Sequence, residues 1–151
     1  MNASNDALAV LNDLLSGEQC ALAPRVIEST VFVSGTSVAA LDIVQRMART
    51  SRRNREDLAS MVIELGGEPG PRRGDAATAH LHFQDLHHLL PELIRGQERL
   101  VRKYQAALPL LTASTRAAAL ARRIATQHEN DLQKLQSLVR TARERPNPAP
   151  A

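Results

Sequence analysis

Residues 121–140, ARRIATQHENDLQKLQSLVR, decide the fold. Ala121, Ile124, Leu135 and Leu138 recur at spacings that line one side of an α-helix. Midway along that side stand two polar residues, His128 and Asp131. Three residues apart, they share a helix face. Buried without partners, each would cost on the order of several kcal/mol. Their position therefore demands polar groups from other segments at the same height.

Three other segments supply them. Helix A, expected over 5 to about 31 with Asn5 or Asp6 as its cap, has the seam Leu8, Leu11, Leu15, Glu18, Leu22. Pro24 kinks or breaks it, because proline cannot donate to Cys20 four residues back. Helix B, from about Val38 to Leu65, reads Val44, Met47, Ser51, Asn54, Leu58, Met61. Ser34-Gly35-Thr36-Ser37 offers its cap, and Gly66-Gly67 followed by Pro69 is a strong stop. The region 75–108 reads as a connecting helix over 76–90 leading into helix C at 91–108, with Pro91 in its first turn. Helix C places Gln97 at the centre of an arc of Leu93, Ile94, Leu100, Val101 and Tyr104. Thr112 or Ser114 caps helix D, which runs to about Arg143. The expected fold class is all-α: a four-helix bundle over 5–144 with a connecting helix between B and C. A disordered tail is expected over 145–151, which ends in PNPAPA.

Composition agrees. At 151 residues and 43% apolar, the chain is sized for one domain with a real core. Aromatics are 2%, too few for a typical β-sandwich or a base-stacking sheet. The one cysteine, Cys20, forms no internal disulfide and anchors no Cys-rich zinc site. No apolar run approaches the roughly 18 residues of a membrane span, and no leader pattern opens the chain, so a soluble, cytoplasmic protein is expected.

Every helix thus carries polar residues inward near mid-length, which points to one shared polar layer. The pattern is similar to that of ferritin-like di-metal bundles, in which two helices give one Glu each and two give a Glu-x-x-His pair. The matching positions are Glu18, Ser51-x-x-Asn54, Gln97 and His128-x-x-Asp131. LNDLLSGE (11–18), ELGGEP (64–69) and GQERLVRKYQAAL (96–108) resemble stretches of a bacterial family of uncharacterised ferritin-like four-helix-bundle proteins. The resemblance covers about 5–142. It implies a ferritin-like fold, a stress-related role, homo-oligomers with a dimer favoured, and a di-iron or di-manganese centre where all ligands are kept. Here Glu18 is kept, Ser51 and Asn54 stand for Glu and His, Gln97 stands for Glu, and helix D has its pair inverted. Neutral amides and hydroxyls do not offset the charge of two metal ions, so a degenerate di-metal site is expected and no ferroxidase activity.

Two readings of the layer follow. In the first it is a closed hydrogen-bond network that fixes helix register in a non-catalytic protein. In the second, Glu18, His128 and Asp131, helped by Gln97, Asn54 and Ser51, hold one divalent iron, manganese or zinc ion, as a metal-binding protein or residual oxidoreductase. A third role, architectural nucleic-acid binding, rests on Arg46, Arg49, Arg52, Arg53 and Arg55 of helix B, although the net charge is only +3 and acids follow at once. His82, Asp85 and His88, at spacing three, form a candidate surface chelate, with a solvated helix face as the blander reading. No phosphate loop or nucleophile motif appears.

Overall fold

The computed structural model describes residues 3–71 and 79–144. They form α1 (Ala3–Gln19), α2 (Leu22–Glu28), α3 (Val38–Glu64), α4 (Leu86–Ala107) and α5 (Thr115–Glu144). The four long helices make the bundle, and α2 follows α1 after a break at Cys20–Ala21 and packs, like α1, against α3 and α4. Pro24 is the third residue of α2, so the backbone breaks just upstream, where the missing donor would have been needed. The break expected at Pro24 thus divides helix A into two helices, the second of which ends at Glu28. Asn5 and Asp6 lie inside the first turns of α1 and do not precede it.

The start of α3 has no side-chain cap; a 3-10 turn at Gly35–Ser37 feeds into it. Its end follows the sequence closely. Gly66 has φ +85, its N–H donates to the Ile63 carbonyl and that of Gly67 to the Val62 carbonyl. These two bonds satisfy the last helix carbonyls, with glycine in the left-handed conformation that side chains resist. Gly67 lies against Leu8 of α1, and Asn12 holds the following loop by bonds to Gly70 N and the Glu68 carbonyl.

A separate connecting helix over 76–90 is not found: of its described residues, 79–85 are a 3-10 turn and loop and 86–90 belong to α4, while residues 76–78 and the tail at 145–151 lie outside the description. Ala79–Leu81 form a single 3-10 turn, and α4 starts at Leu86. Asp85 caps it, accepting from His87 N at 2.8 Å. Pro91 consequently sits at the sixth position of α4 and not in its first turn, leaving one interior bond unmade. Ser114 Oγ caps α5, accepting from Ala117 N at 3.3 Å.

α3 ends beside the start of α1, whereas the loop before α4 pairs with the backbone beyond α2: Phe83 N donates to the Thr30 carbonyl and Phe32 N to the Gln84 carbonyl. The link from α3 to α4 therefore returns along the length of the bundle, and those two helices run parallel. This long crossover is the ferritin-like connectivity. Among the described residues no helix is long and apolar enough to cross a membrane.

The core divides in two. One cluster holds Leu11, Leu14, Leu58, Val62, Tyr104 and Ile124. The other holds Val26, Val44, Met47, Leu89, Leu93 and Leu135. Along every long helix, the residues between the two clusters are the polar ones singled out above.

Candidate functional site

All six expected side chains are buried: Glu18 (1% exposed), Ser51 (4%), Asn54 (0%), Gln97 (6%), His128 (5%) and Asp131 (5%). Helix periodicity turns each inward, and the common boundary between the two apolar clusters sets them at one height.

Glu18 is the hub. Its Oε1 accepts from the Tyr104 hydroxyl at 2.7 Å and from His128 Nε2 at 2.5 Å, while its Oε2 lies 3.5 Å from Ser51 Oγ, at the limit of a bond. Gln97 fixes the imidazole from the other side. Its Nε2 donates to the His128 carbonyl at 3.1 Å. A carbonyl only accepts, so the group facing it is the amide NH2. Its second hydrogen reaches Nδ1 of the same histidine, 3.0 Å away, and Nδ1 is therefore the acceptor. The ring hydrogen sits on Nε2 and points at Glu18. Both nitrogens of His128 are engaged.

Tyr104 was read from sequence only as an apolar member of helix C. A tyrosine at a fully buried position one heptad past Gln97 was the available signal, because a buried phenol needs a partner. Burial, reinforced by the charge of Glu18 and the hydrogen bond to it, pushes the Tyr104 hydroxyl far above its ordinary value, so it stays protonated and donates.

Asp131 and Asn54 stand apart from this network. No hydrogen bond from the described residues reaches the Asp131 carboxylate. Burial raises its pKa, and the fields of His128, Arg46 and Lys134 offset that only in part. Both polar side-chain atoms of Asn54 are buried with no partner among the described residues. A cavity of about 30 Å3, room for one or two water-sized groups, is bounded in part by Glu18, Ser51, Gln97, His128 and Asp131.

The candidate surface chelate is dispersed. Asp85 is spent on the α4 cap, His82 Nδ1 accepts from Thr30 N at 3.3 Å, and neither shares a helix face with His88. His80 pairs instead with Glu92 at 3.1 Å. Among the described residues, no set of three or more His, Cys, Asp or Glu side chains is arranged to hold a metal ion. Cys20 is exposed at the α1–α2 break.

The sequence matches no protein-family model and no curated protein. In structure the chain is similar to the bacterioferritin of Desulfovibrio desulfuricans, whose di-iron site was solved in different catalytic states. The TM-score is 0.70 at 18% identity, over 91% of this chain and 82% of that one. Crossover topology and structural likeness agree: the fold is a ferritin-like, all-α four-helix bundle.

Proposed function

We propose that this chain is a non-catalytic ferritin-like bundle protein in which a hydrogen-bonded polar layer has taken the place of a di-metal centre and fixes the register of the helices. A ferritin-like di-iron or di-manganese site draws on four carboxylates and two imidazoles. The corresponding positions here offer two carboxylates and one imidazole, with a hydroxyl and two amides at the rest. Two bridging ions do not fit that set, whose neutral groups leave most of the metal charge uncompensated. The observation that carries the reading is His128. Its Nε2 is held by Glu18 and its Nδ1 by the Gln97 amide, so neither nitrogen is free to ligate. A stress-related role and assembly into a homodimer complete the proposal and rest on the family resemblance.

The competing reading is one divalent ion at Glu18, His128 and Asp131. It is favoured by their bordering a single small cavity, in which Asp131 has no hydrogen-bond donor. Elemental analysis of protein purified without chelator separates the two. The network reading expects no stoichiometric metal in the wild type and no change on His128→Ala. A stoichiometric iron, manganese or zinc content that His128→Ala abolishes overturns it. Sedimentation equilibrium tests the dimer, and a monomer at micromolar concentration refutes that part.

A further inference from the structure

We propose that the groove between α3 and α5 docks the phosphate backbone of double-stranded nucleic acid, without reading base sequence. This role is independent of the buried layer.

The structure sorts the α3 arginines. Arg46, Arg49 and Arg53 follow at spacings of three and four, which puts them on one stripe. At 1.5 Å of rise per residue that stripe is roughly 10 Å long. Arg49 and Arg53 are exposed and have no ion pair among the described residues. Arg55 departs from the stripe: it is half-buried, with its Nε enclosed.

The facing helix continues the charge. α5 runs antiparallel to α3 in a register set by two ion pairs, Arg123 to Asp57 at 2.6 Å and Arg116 to Glu64 at 2.8 Å. Carried along both helices, that register sets Lys134 opposite Arg46, and the fields of both act on Asp131 between them. Four cations thus border one seam. Its one acid in this stretch is the buried Asp131, while the exposed acids of α3, Asp42 and Glu56, flank the stripe at its two ends. Farther along, Asp57 and Glu64 are already neutralised by their arginines, so no exposed, unpaired acid among the described residues lies between these four cations.

Around Lys134 the seam opens into a groove of about 480 Å3, floored by Ile43 of α3 and Leu138 of α5 and edged by the polar α5 side chains Asn130, Gln133, Ser137 and Thr141. Amides and hydroxyls beside a lysine are groups that bind phosphate and sugar oxygens, and the arginine stripe of α3 lies next to the groove along the same seam. No aromatic ring borders it. Phe32 and Phe83 lie at the end of the bundle, where the loops around them pair, and Tyr104 is buried. Single strands are held by stacking on aromatic faces, which this groove lacks. Its chemistry fits a duplex held by its phosphates.

The test is fluorescence anisotropy of the full chain with a labelled duplex of about 20 base pairs, titrated between ~20 and ~200 mM salt. Four phosphate contacts predict a log–log salt slope of about −3.6. Arg49→Gln with Arg53→Gln should weaken binding and reduce the slope by about 2, and Lys134→Gln alone by about 1. The exposed arginines Arg95 and Arg99 of α4 supply the control: their double glutamine variant should bind within about twofold of wild type, the two residues making no phosphate contact. Three results each overturn the proposal: no binding at the lowest salt, equal weakening by the α4 variant, or tighter binding of a single strand of the same length.

Discussion

Replacing Asn54 by leucine should make the protein more stable. Leucine keeps the branch at Cγ and exchanges Oδ1 and Nδ2 for two methyl groups. Both polar atoms are fully buried, and neither has a partner among the described residues. An unsatisfied buried polar group costs about 1–3 kcal/mol, so relieving two of them at the low end returns about 2 kcal/mol. The methyl groups are larger than the atoms they replace, and crowding in a packed core takes back about 1 kcal/mol. A net gain of about 1 kcal/mol follows, or about 2–4 °C in Tm for a domain of this size. Urea unfolding followed by circular dichroism measures it, with an unchanged m-value showing that the unfolded state is the same. A loss of more than about 1 kcal/mol at constant m would refute the reasoning, because it would mean that Asn54 is held by something worth more than its desolvation.

His128→Ala leaves Glu18 with two hydroxyl donors and should cost about 3–5 kcal/mol, whereas replacing Glu18 and His128 together by leucine should recover most of that; additive single losses in a double-mutant urea cycle count against a coupled pair. The Asp131 carboxyl titrates above its ordinary 3.8, so the folded protein binds that proton more tightly than the unfolded chain does. Its contribution is present at low pH and is lost as pH rises from 3.8 through the raised native value. Asp131→Asn should remove that decline from a plot of unfolding free energy against pH, and a variant that keeps it contradicts the assignment. Gly66→Ala forces a side chain into φ +85 and should cost about 1 kcal/mol in urea without changing helix content. An unchanged midpoint would show that the turn relaxes.

The bundle was legible because its signals are local. Gly66-Gly67 stopped α3 where sequence placed the stop, and polar residues spaced within apolar seams gave six buried members of the layer but not Tyr104, since helical spacing alone sets which side chains share a face. What was missed depended on contacts between segments. The backbone of Thr30–Phe32 pairs with residues 83–86, and that pairing holds the chain in turns where a helical pattern had been read. Asp85 then starts α4 five residues ahead of Leu90 and six ahead of Pro91, so the proline falls inside the helix. An aspartate before a helical run was a readable cap, but the proline was the louder signal. Within the site, the burial of each residue was legible, but the division of labour was not. Which carboxylate would gather the donors, and which would be left with none, depends on rotamers that no spacing reports.

The polar layer also acts as a septum. With a separate oily cluster on each side of the buried polar side chains, a change of volume in one has little means of crowding the other. Substitutions such as Leu58→Ala and Leu89→Ala, one on each side, should therefore sum in their effects. Such a chain is free to remodel either end of its interior while the other stays as it was.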